Sequence, residues 1–556
     1  MNELYELAEI LLPDIKITPE EYEIKYPPRS LPEGAIVSRY APSPTGFIHL
    51  GALYASLIEG RMARQTDGVF YLRIEDTDKK REIEDGVSEI VNTLKTFGVE
   101  FDEGVVDLAT EKGNYGPYKQ SDRMDIYKTF VKQLIQKGMA YPCFCSESDI
   151  DSLRKRQEEG GQRTGYYGEW AVCRKLDLDA IKKKIDEGTP FIIRFRSPGN
   201  PERKLTHKDL IKGRIDMYEN DQDIVLIKSD GLPTYHFAHV VDDHLMCTTH
   251  VIRGDEWLSS VPLHLELFKA MGWQAPSYAH IAPIIKEDGN SKRKLSKRKD
   301  PEAAISFYHT EGYPKSAIIE YLLNIANSGF EDWRKVNRRE DNKKFNLDFK
   351  KMSISGALFD IVKLMDISKN VISLMTAEEV YDLSTGWADE FDPALKEILS
   401  KDPEFTKKIF SIDRYIDRPR KDISKWSDVK AFVSYFFDEL FDADNDNKYD
   451  FPENISKEDI GQVIKLYKDK YMSLEDRKSW FDKVKELSET LGYASDMKAY
   501  KSNPDQYKGS VSDISTVLRV ALTGRRNSPD LFEVQNVMGI EMVFKRLDGC
   551  MRDYLK

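Results

Sequence analysis

Arg39, Ser43, Thr45 and His49 fall within one short stretch, IVSRYAPSPTGFIHLG (36–51). A guanidinium grips a carboxylate or phosphate through paired N–H donors. The two hydroxyls add neutral donors, and an imidazole can give a hydrogen bond to a phosphate. Gly51 follows the imidazole and, having no side chain, lets a flat base approach the backbone. A second group, Arg73, Glu75, Asp76 and Asp78, closes the run VFYLRIEDTD (69–78) and offers acids suited to an ammonium. A third, KRKLSKRKD (292–300), is a dense positive run behind the flexible KEDGNS. Tyr235, His236 and His239 in PTYHFAH (233–239) and Arg253, Glu256 and Trp257 in VIRGDEW (251–257) add further polar chemistry. Each group alone has a plain structural reading: a βα connection with an incidental His, a strand-end ion pair, a solvated basic face.

The elements that must position these residues follow from local pattern. Ile36 and Val37 read as the end of a buried strand. Pro42, Pro44 and Gly46 then force a stiff loop. LGALYASLIEGRMARQ (50–65) has apolar residues at helical spacing. Strand, loop and helix N-terminus together aim free N–H groups and the positive end of a helix dipole at an anion. Neither GxxxxGK nor GxGxxG occurs nearby, so this is neither a P-loop nor a dinucleotide fingerprint. VFYLRIED, DIVLIKSD, THVIRGDEW and HIAPIIK (280–286) read as strands, HFAHVVDDHL and LHLELFKAMGW as helices. In an open parallel sheet ligands bind at the carboxyl ends of strands, where Arg39, Glu75 and Arg253 fall.

The chain has 556 residues, enough for several domains, with 40% hydrophobic and 32% charged residues. No run approaches the roughly eighteen apolar residues of a membrane span, and the acidic, amphipathic start MNELYELAEILLPDIK is no signal peptide. Five scattered cysteines, Cys143, Cys145, Cys173, Cys247 and Cys550, do not make a disulfide scaffold, and a cytoplasmic protein is expected. A net charge of −12 argues against a globally basic nucleic-acid binder, though local basic faces suffice for phosphate contacts. His236, His239 and His244, with Asp242 and Asp243 among them, suggest a metal site as a weak alternative, but they lack HExxH.

Lys294-Leu295-Ser296-Lys297 resembles the KMSKS signature of class I aminoacyl-tRNA synthetases, and His49-Leu50-Gly51-Ala52 resembles its partner HIGH signature. With YLRIEDTD (71–78), GPYKQSDR (116–123), LIKSDGLPTYHFAHVVDDHLM (226–246), VIRGDEW (251–257) and LRVALTG (518–524), the ordered blocks resemble the bacterial glutamyl-tRNA synthetase family from about residue 35 onward, thinning between 375 and 510. The resemblance implies a multidomain α/β plus all-α chain. It divides as an N-terminal extension (1–34), the first half of a Rossmann-like catalytic domain (35–115), an inserted acceptor-stem-binding domain (116–213), the second catalytic half (214–285), a KMSKS-like loop and stem-contact domain (286–374), and a helical anticodon-binding region (375–556).

The same resemblance implies residue roles. His49, Lys294 and Lys297 would act on the phosphates and the pyrophosphate leaving group. Thr45, Gly46, Gly51, Glu256, Trp257, Ile285 and Ser296 would complete the ATP site. Glutamate would meet Arg39 and Tyr235 at its side-chain carboxylate, Arg253 nearer its α-carboxylate, and Glu75 at its ammonium, with Ala41 and Ser43 alongside. His239 stands where several relatives carry Asn. The reaction implied is ATP-driven formation of glutamyl-adenylate with magnesium, then transfer to tRNA for glutamate, and in a non-discriminating enzyme also to tRNA for glutamine. Some family members bind zinc through a Cys-x-Cys pair, a later Cys and a Tyr or His. Cys143, Cys145, Cys173 and Tyr167 could supply three thiolates and one oxygen, with Tyr166 the other choice for the oxygen; reduced cysteines in a helical insert are the competing reading. A monomer away from membranes is the family expectation. A catalytically silent RNA-binding paralogue is the alternative, disfavoured because His49, Glu75, Arg39, Arg253 and Lys297 are all present.

Overall fold

The structure, a computed structural model, describes residues 2–46, 48–79, 81, 83, 85–107, 109–296, 298–443, 449–472 and 475–555. Lys297, assigned above to the phosphates, lies outside the described residues. The chain divides into two compact units, residues 1–307 with 319–360, and 308–318 with 361–556.

The first unit is built on parallel strands. β1 (Val37–Tyr40) pairs in parallel with β2 (Val69–Leu72), in register from Val37 opposite Val69 to Tyr40 opposite Leu72. β2 continues to β3 (Glu103–Val105), which carries the short antiparallel β4 (Glu111–Lys112). Ile36 and Val37 were read as a strand end; instead the strand starts there and runs to Tyr40. It continues because Ser38 and Arg39, polar in pattern, are both buried, Ser38 donating to Glu59 O and Arg39 meeting Asp243. The helix Leu50–Arg64 packs back on the sheet, with Gly60 against the Phe70 ring.

The insertion holds more strand than its helical periodicity suggests. β5 (Ala140–Cys143) and β6 (Ile192–Phe195) form an antiparallel sheet with the later β9 (Val225–Ile227). β7 (Lys204–Asp209) and β8 (Gly213–Tyr218) make a separate hairpin. Residue 213, the expected end of the insertion, falls in that hairpin. The helices Met124–Gln136, Glu147–Glu159 and Leu178–Asp186 complete it.

The chain then returns to the parallel layer through the helix Tyr235–Leu245, β10 (His250–Gly254), the helix Val261–Met271 and β11 (Ser277–Ile281), with β10 and β11 parallel. Thr249 N–H donates to Val37 O (3.0 Å), bringing β10 beside β1. β1 thus has β2 on one side and the much later β10 on the other, which is the reversal of strand order where such sheets open a crevice. The expected strand 280–286 is broken at Ala282-Pro283: Pro283 has no N–H to continue a ladder, and the chain restarts as β12 (Ile284–Asp288). β12 pairs antiparallel with β13 (Ser291–Lys294) and parallel with β14 (Ala357–Leu358).

Two helices open the chain: Asn2–Leu11 and Pro19–Lys25. The second starts on a capping box in which Thr18 and Glu21 satisfy each other's backbone N–H groups. The extended lead after it is pinned by Arg29, whose guanidinium forks onto Glu103 at 2.7 and 2.9 Å. The second unit is helical, around a core that includes Val380, Leu399, Ile409, Trp426, Ile464, Val517 and Leu547. Gly524 (φ 74°) closes the helix Val511–Thr523, and Gly539 (φ 73°) kinks the segment Leu531–Tyr554. No helix among the described residues is long and apolar enough to cross a membrane.

Candidate active site

A cavity of about 660 Å³ opens between the 41–49 loop, the start of the helix Leu50–Arg64, the β10 exit and the β12–β13 hairpin. Ala41, Ser43, Thr45, Gly46, His49, Gly51, Glu256, Trp257 and Lys294 line it. His49 caps the helix Leu50–Arg64: its Nδ1 accepts Ala52 N–H at 3.1 Å. A neutral ring that accepts at Nδ1 carries its proton on Nε2, so it can donate to an anion. Gly51 leaves room for it: a Cβ there would lie 3.0 Å from His49 Nδ1 and 3.1 Å from Cε1 and would crowd the ring. Ile284 lines the cavity in place of the expected Ile285, whose side chain instead packs over Gly356. Neighbouring strand residues face opposite ways, so sequence reasoning was one residue out.

The basic loop is tied down on its acidic neighbours. Arg293 forks onto Asp300 at 2.6 and 2.8 Å and reaches Asp288 at 2.7 Å. Ser296, assigned to ATP, donates its backbone N–H to Asp300 at 2.9 Å and is not among the cavity-lining residues. These bonds, above all those from Arg293, hold the Asp300 carboxyl well below the usual range. Lys294 stays more exposed, with Nζ 3.6 Å from Glu256 Oε1 at the cavity rim.

Behind Trp257 lies a buried charged cluster. Arg39 Nε sits 3.2 Å from both oxygens of Asp243, and Arg73 Nη1 sits 2.6 Å from Asp243 Oδ1. Arg73 also meets Glu75 at 3.2 Å and Asp242 at 3.7 Å, and Arg123 meets Asp242 at 2.7 Å. Burial raises the Glu75 carboxyl above its ordinary range, although Arg73 and Arg39 pull the other way. Arg253 is different. It makes no ion pair among the described residues; its partners are His280 Nε2 (3.1 Å), His264 Nδ1 (3.3 Å from each Nη), Tyr235 Oη (3.4 Å) and Trp257 O (3.3 Å). Tyr235 packs on Trp257 with centroids 4.2 Å apart and stacks on His239 at 5.8 Å, so the cluster adjoins the cavity through these rings. His239 is fully buried, with Nδ1 2.7 Å from Asp243 Oδ2 and Nε2 3.1 Å from Tyr278 Oη.

The His236, His239 and His244 metal reading fails. His244 turns away to pair with Glu23 at 2.8 Å and to stack on Trp273. Asp242 and Asp243 serve buried arginines instead. Sequence reasoning missed Arg73, Asp242 and Asp243 as the frame of the site, and His264 and His280 as partners of Arg253. The DD pair was visible in VVDDHL, but its partners lie far away in sequence.

In the insertion, Cys143, Cys145 and Cys173 hold their sulfurs within 4.8 Å of one another. Cys145 Sγ is 3.6 Å from Cys173 Sγ, and Tyr166 Oη lies 3.4 Å from the sulfurs of both Cys143 and Cys145. A tetrahedron with metal–sulfur arms of about 2.3 Å has edges of about 3.8 Å, so the donor set fits zinc. Hydrogen bonds from Cys145 and Cys173 pull the Cys143 thiol down, and the same sulfur contacts push the Cys145 thiol up. The hydroxyl beside the sulfurs belongs to Tyr166, the other choice, while that of Tyr167 donates to Arg163 O at 2.6 Å on the surface. Tyr167 and Tyr166 are adjacent in an irregular loop, where no periodicity tells which faces in.

A reversed parallel sheet, a capping histidine with a glycine beside its ring, and a lysine-bearing hairpin across one cavity define the catalytic domain of a class I tRNA synthetase. Residues 35–366 match the model of the tRNA synthetases class I (E and Q), catalytic domain, and residues 387–551 match an anticodon binding domain. A glutamate–tRNA ligase from Clostridium perfringens strain 13 is 51% identical over 541 residues, covering 97% of this chain and 99% of the relative. One from Acetivibrio thermocellus is 48% identical, covering 97% and 98%. The crystal structure of a glutamate tRNA ligase from Elizabethkingia meningosepticum, in complex with its amino acid, superposes with a TM-score of 0.71 at 27% identity, over 94% of this chain and all of that one. The chain belongs to the glutamate–tRNA ligase family.

Proposed function

We propose that the chain is a working glutamate–tRNA ligase that activates L-glutamate with ATP and magnesium and passes it to the terminal ribose of tRNA for glutamate. The observation that carries this is the charge balance of the buried cluster. Arg39, Arg73 and Arg123 are matched by Asp242, Asp243 and Glu75, and Arg253 has no matching carboxylate among the described residues. Glutamate, with two carboxylates and one ammonium, offers Arg253 the carboxylate partner it lacks.

In this reading Arg253 takes the α-carboxylate, Arg39 with Tyr235 the side-chain carboxylate, and Glu75 the ammonium, with Ala41, Ser43 and His239 around them. An incoming ammonium would favour the ionised Glu75 carboxylate against the burial that raises it. ATP fills the cavity, its base and ribose against Gly51, Glu256, Trp257 and Ile284 and its phosphates against Thr45, Gly46 and His49. The α-carboxylate attacks the α-phosphorus. His49 Nε2–H, Lys294 and Lys297 stabilise charge on the phosphates and the pyrophosphate as it leaves, a positioning and electrostatic mechanism without a covalent enzyme intermediate. Zinc, when bound by Cys143, Cys145, Cys173 and Tyr166, would be structural, since all four positions of a tetrahedral site are then filled. We place the enzyme in the cytoplasm and expect it to act as a monomer.

The test is aminoacylation with labelled glutamate on purified tRNA for glutamate and, separately, tRNA for glutamine, with Lys297→Ala in parallel. Charging of the first alone describes a discriminating enzyme. Charging of both describes a non-discriminating one. Failure on both by folded protein refutes the proposal in favour of a silent RNA-binding paralogue.

A further inference from the structure

Arg253 is the one site arginine whose neighbours are imidazoles. Its Nε–H meets His280 Nε2, and His280 in turn meets Asp209: Nδ1 lies 2.7 Å and the backbone N 3.1 Å from Asp209 Oδ2. All three side chains are buried. A guanidinium has only donors, so His280 must present a lone pair at Nε2. A neutral imidazole has one lone pair, so its proton sits on Nδ1 and needs an acceptor, which Asp209 supplies. The second contact follows the same logic. His264 accepts at Nδ1, and its Nε2 lies 3.0 Å from His236 Nδ1. Imidazole lone pairs orient the guanidinium without neutralising it, as a carboxylate would.

We infer that Asp209 and His280 are positioning residues that hold Arg253 in the orientation in which it receives the substrate carboxylate. The inference rests on the reading of Arg253 given under the proposed function. Asp209 ends β7 of the inserted hairpin, so the aim of the clamp is set from outside the parallel sheet. His207, Asp209 and His280 also lie close enough together to suggest a metal. The geometry argues for the relay instead: His280 Nε2 is already engaged by a cation, and His207 Nε2 is 4.0 Å from Asp209 Oδ2.

Asp209→Asn tests this while keeping the hairpin turn. Asn keeps the oxygen that accepts Ile211 N–H (2.9 Å) and Lys212 N–H (2.8 Å) in the hairpin turn. It puts an NH₂ where Oδ2 was, which cannot accept from Nδ1–H. The ring then takes the other tautomer and points Nε2–H at Arg253 Nε–H. We expect the glutamate KM in tRNA-supported ATP–pyrophosphate exchange to rise about 10- to 100-fold, with the ATP KM and melting temperature held. His280→Gln, whose oxygen can face Arg253 and whose NH₂ can face Asp209, should retain most glutamate affinity, and His280→Phe should lose it. An unchanged glutamate KM in Asp209→Asn, or equal damage to glutamate KM, ATP KM and melting temperature in Asp209→Asn and in both His280 variants, overturns the inference. Arg253→Lys separates the two claims. If it leaves the glutamate KM unchanged, the reading of Arg253 fails; if it raises that KM while Asp209→Asn does not, only the relay fails.

Discussion

Asp243 is the carboxylate on which the buried cations converge, and Asp243→Asn removes its charge at almost constant shape. The side chain meets Arg73 at 2.6 Å and Arg39 at 3.2 Å, and none of the three is more than 4% exposed. Arg73 keeps Glu75 and Asp242 as partners, whereas Arg39 has no second carboxylate within ion-pair distance among the described residues. At an effective dielectric of about 20, each lost attraction near 4 Å is worth about 4 kcal/mol before relaxation. Stripping one partner from a buried pair costs about 3–5 kcal/mol in measured cases. Because Arg73 retains two anions, the lower end, about 3 kcal/mol, is expected here. Guanidinium unfolding, fitted with one transition for each compact unit, would report the loss in the first. The pH dependence adds a second check. Burial alone would raise the Asp243 carboxyl, but Arg39 and Arg73 outweigh it and hold it well below its ordinary value. A depressed folded pKa gives stability that is present above the unfolded value and lost only as pH falls through the folded one, so the gap between wild type and variant should be flat from about pH 5 to 8. A loss under about 1 kcal/mol, or a gap that changes across that range, would refute the account of the cluster as mutually dependent ion pairs.

Gly51→Ala should press a methyl against the His49 ring, 3.0 Å away, and lower kcat for adenylate formation about 10- to 100-fold with less effect on glutamate KM; unchanged kcat would remove His49 from the phosphates. Protein grown with zinc should carry about one zinc per chain by elemental analysis. Cys145→Ser and Tyr166→Phe should weaken its retention against a chelator while Tyr167→Phe does not, and equal retention in all three variants would count against the site. Burial lowers His236 to about 4 and His239 to about 3. Both folded values lie below the unfolded value of about 6.5, so the unfolded chain takes protons first and stability should fall as pH drops from about 6.5 toward 4. His239→Asn should flatten that fall in melting temperature, and an identical profile in the variant would show that His239 does not contribute.

The cavity was legible because its residues lie in contiguous blocks whose local pattern fixes a strand, a stiff loop and a helix start. His49, Gly51, Trp257 and Lys294 meet there as the resemblance to the family's signatures implies. What stayed hidden is orientation and long-range pairing. Ile284 rather than Ile285, and Tyr166 rather than Tyr167, are one-residue errors made where a strand restarts after a proline or a loop has no period. The hairpin that carries Asp209 alternates in KLTHKD, but its inward positions after Leu205 are His207 and Asp209, so no apolar face marked it as a strand. Asp242 and Asp243 look like metal ligands in sequence because nothing local shows three arginines from Arg39, YLRIED and KQSDR arriving on them.

The division of partners among those arginines also bears on which amino acid the site selects. Arg39, Arg73 and Arg123 end on carboxylates that cancel their charge and make them a rigid wall, while Arg253 ends on neutral ring nitrogens and keeps its charge for the ligand. Glutamine brings no side-chain carboxylate to Arg39, and a buried polar group left without its partner is costly. It would also turn an amide N–H₂ toward the N–H groups of Arg39 or else sacrifice one of their hydrogen bonds. Both penalties fall on glutamine and not on glutamate. Sites that leave buried polar groups unpaired by the wrong substrate reach discrimination of about 10⁴ without editing. In the proposed reading the selectivity therefore falls on Arg39 and Tyr235 at the side-chain end, while the imidazoles aim Arg253 at the α-carboxylate that both amino acids share.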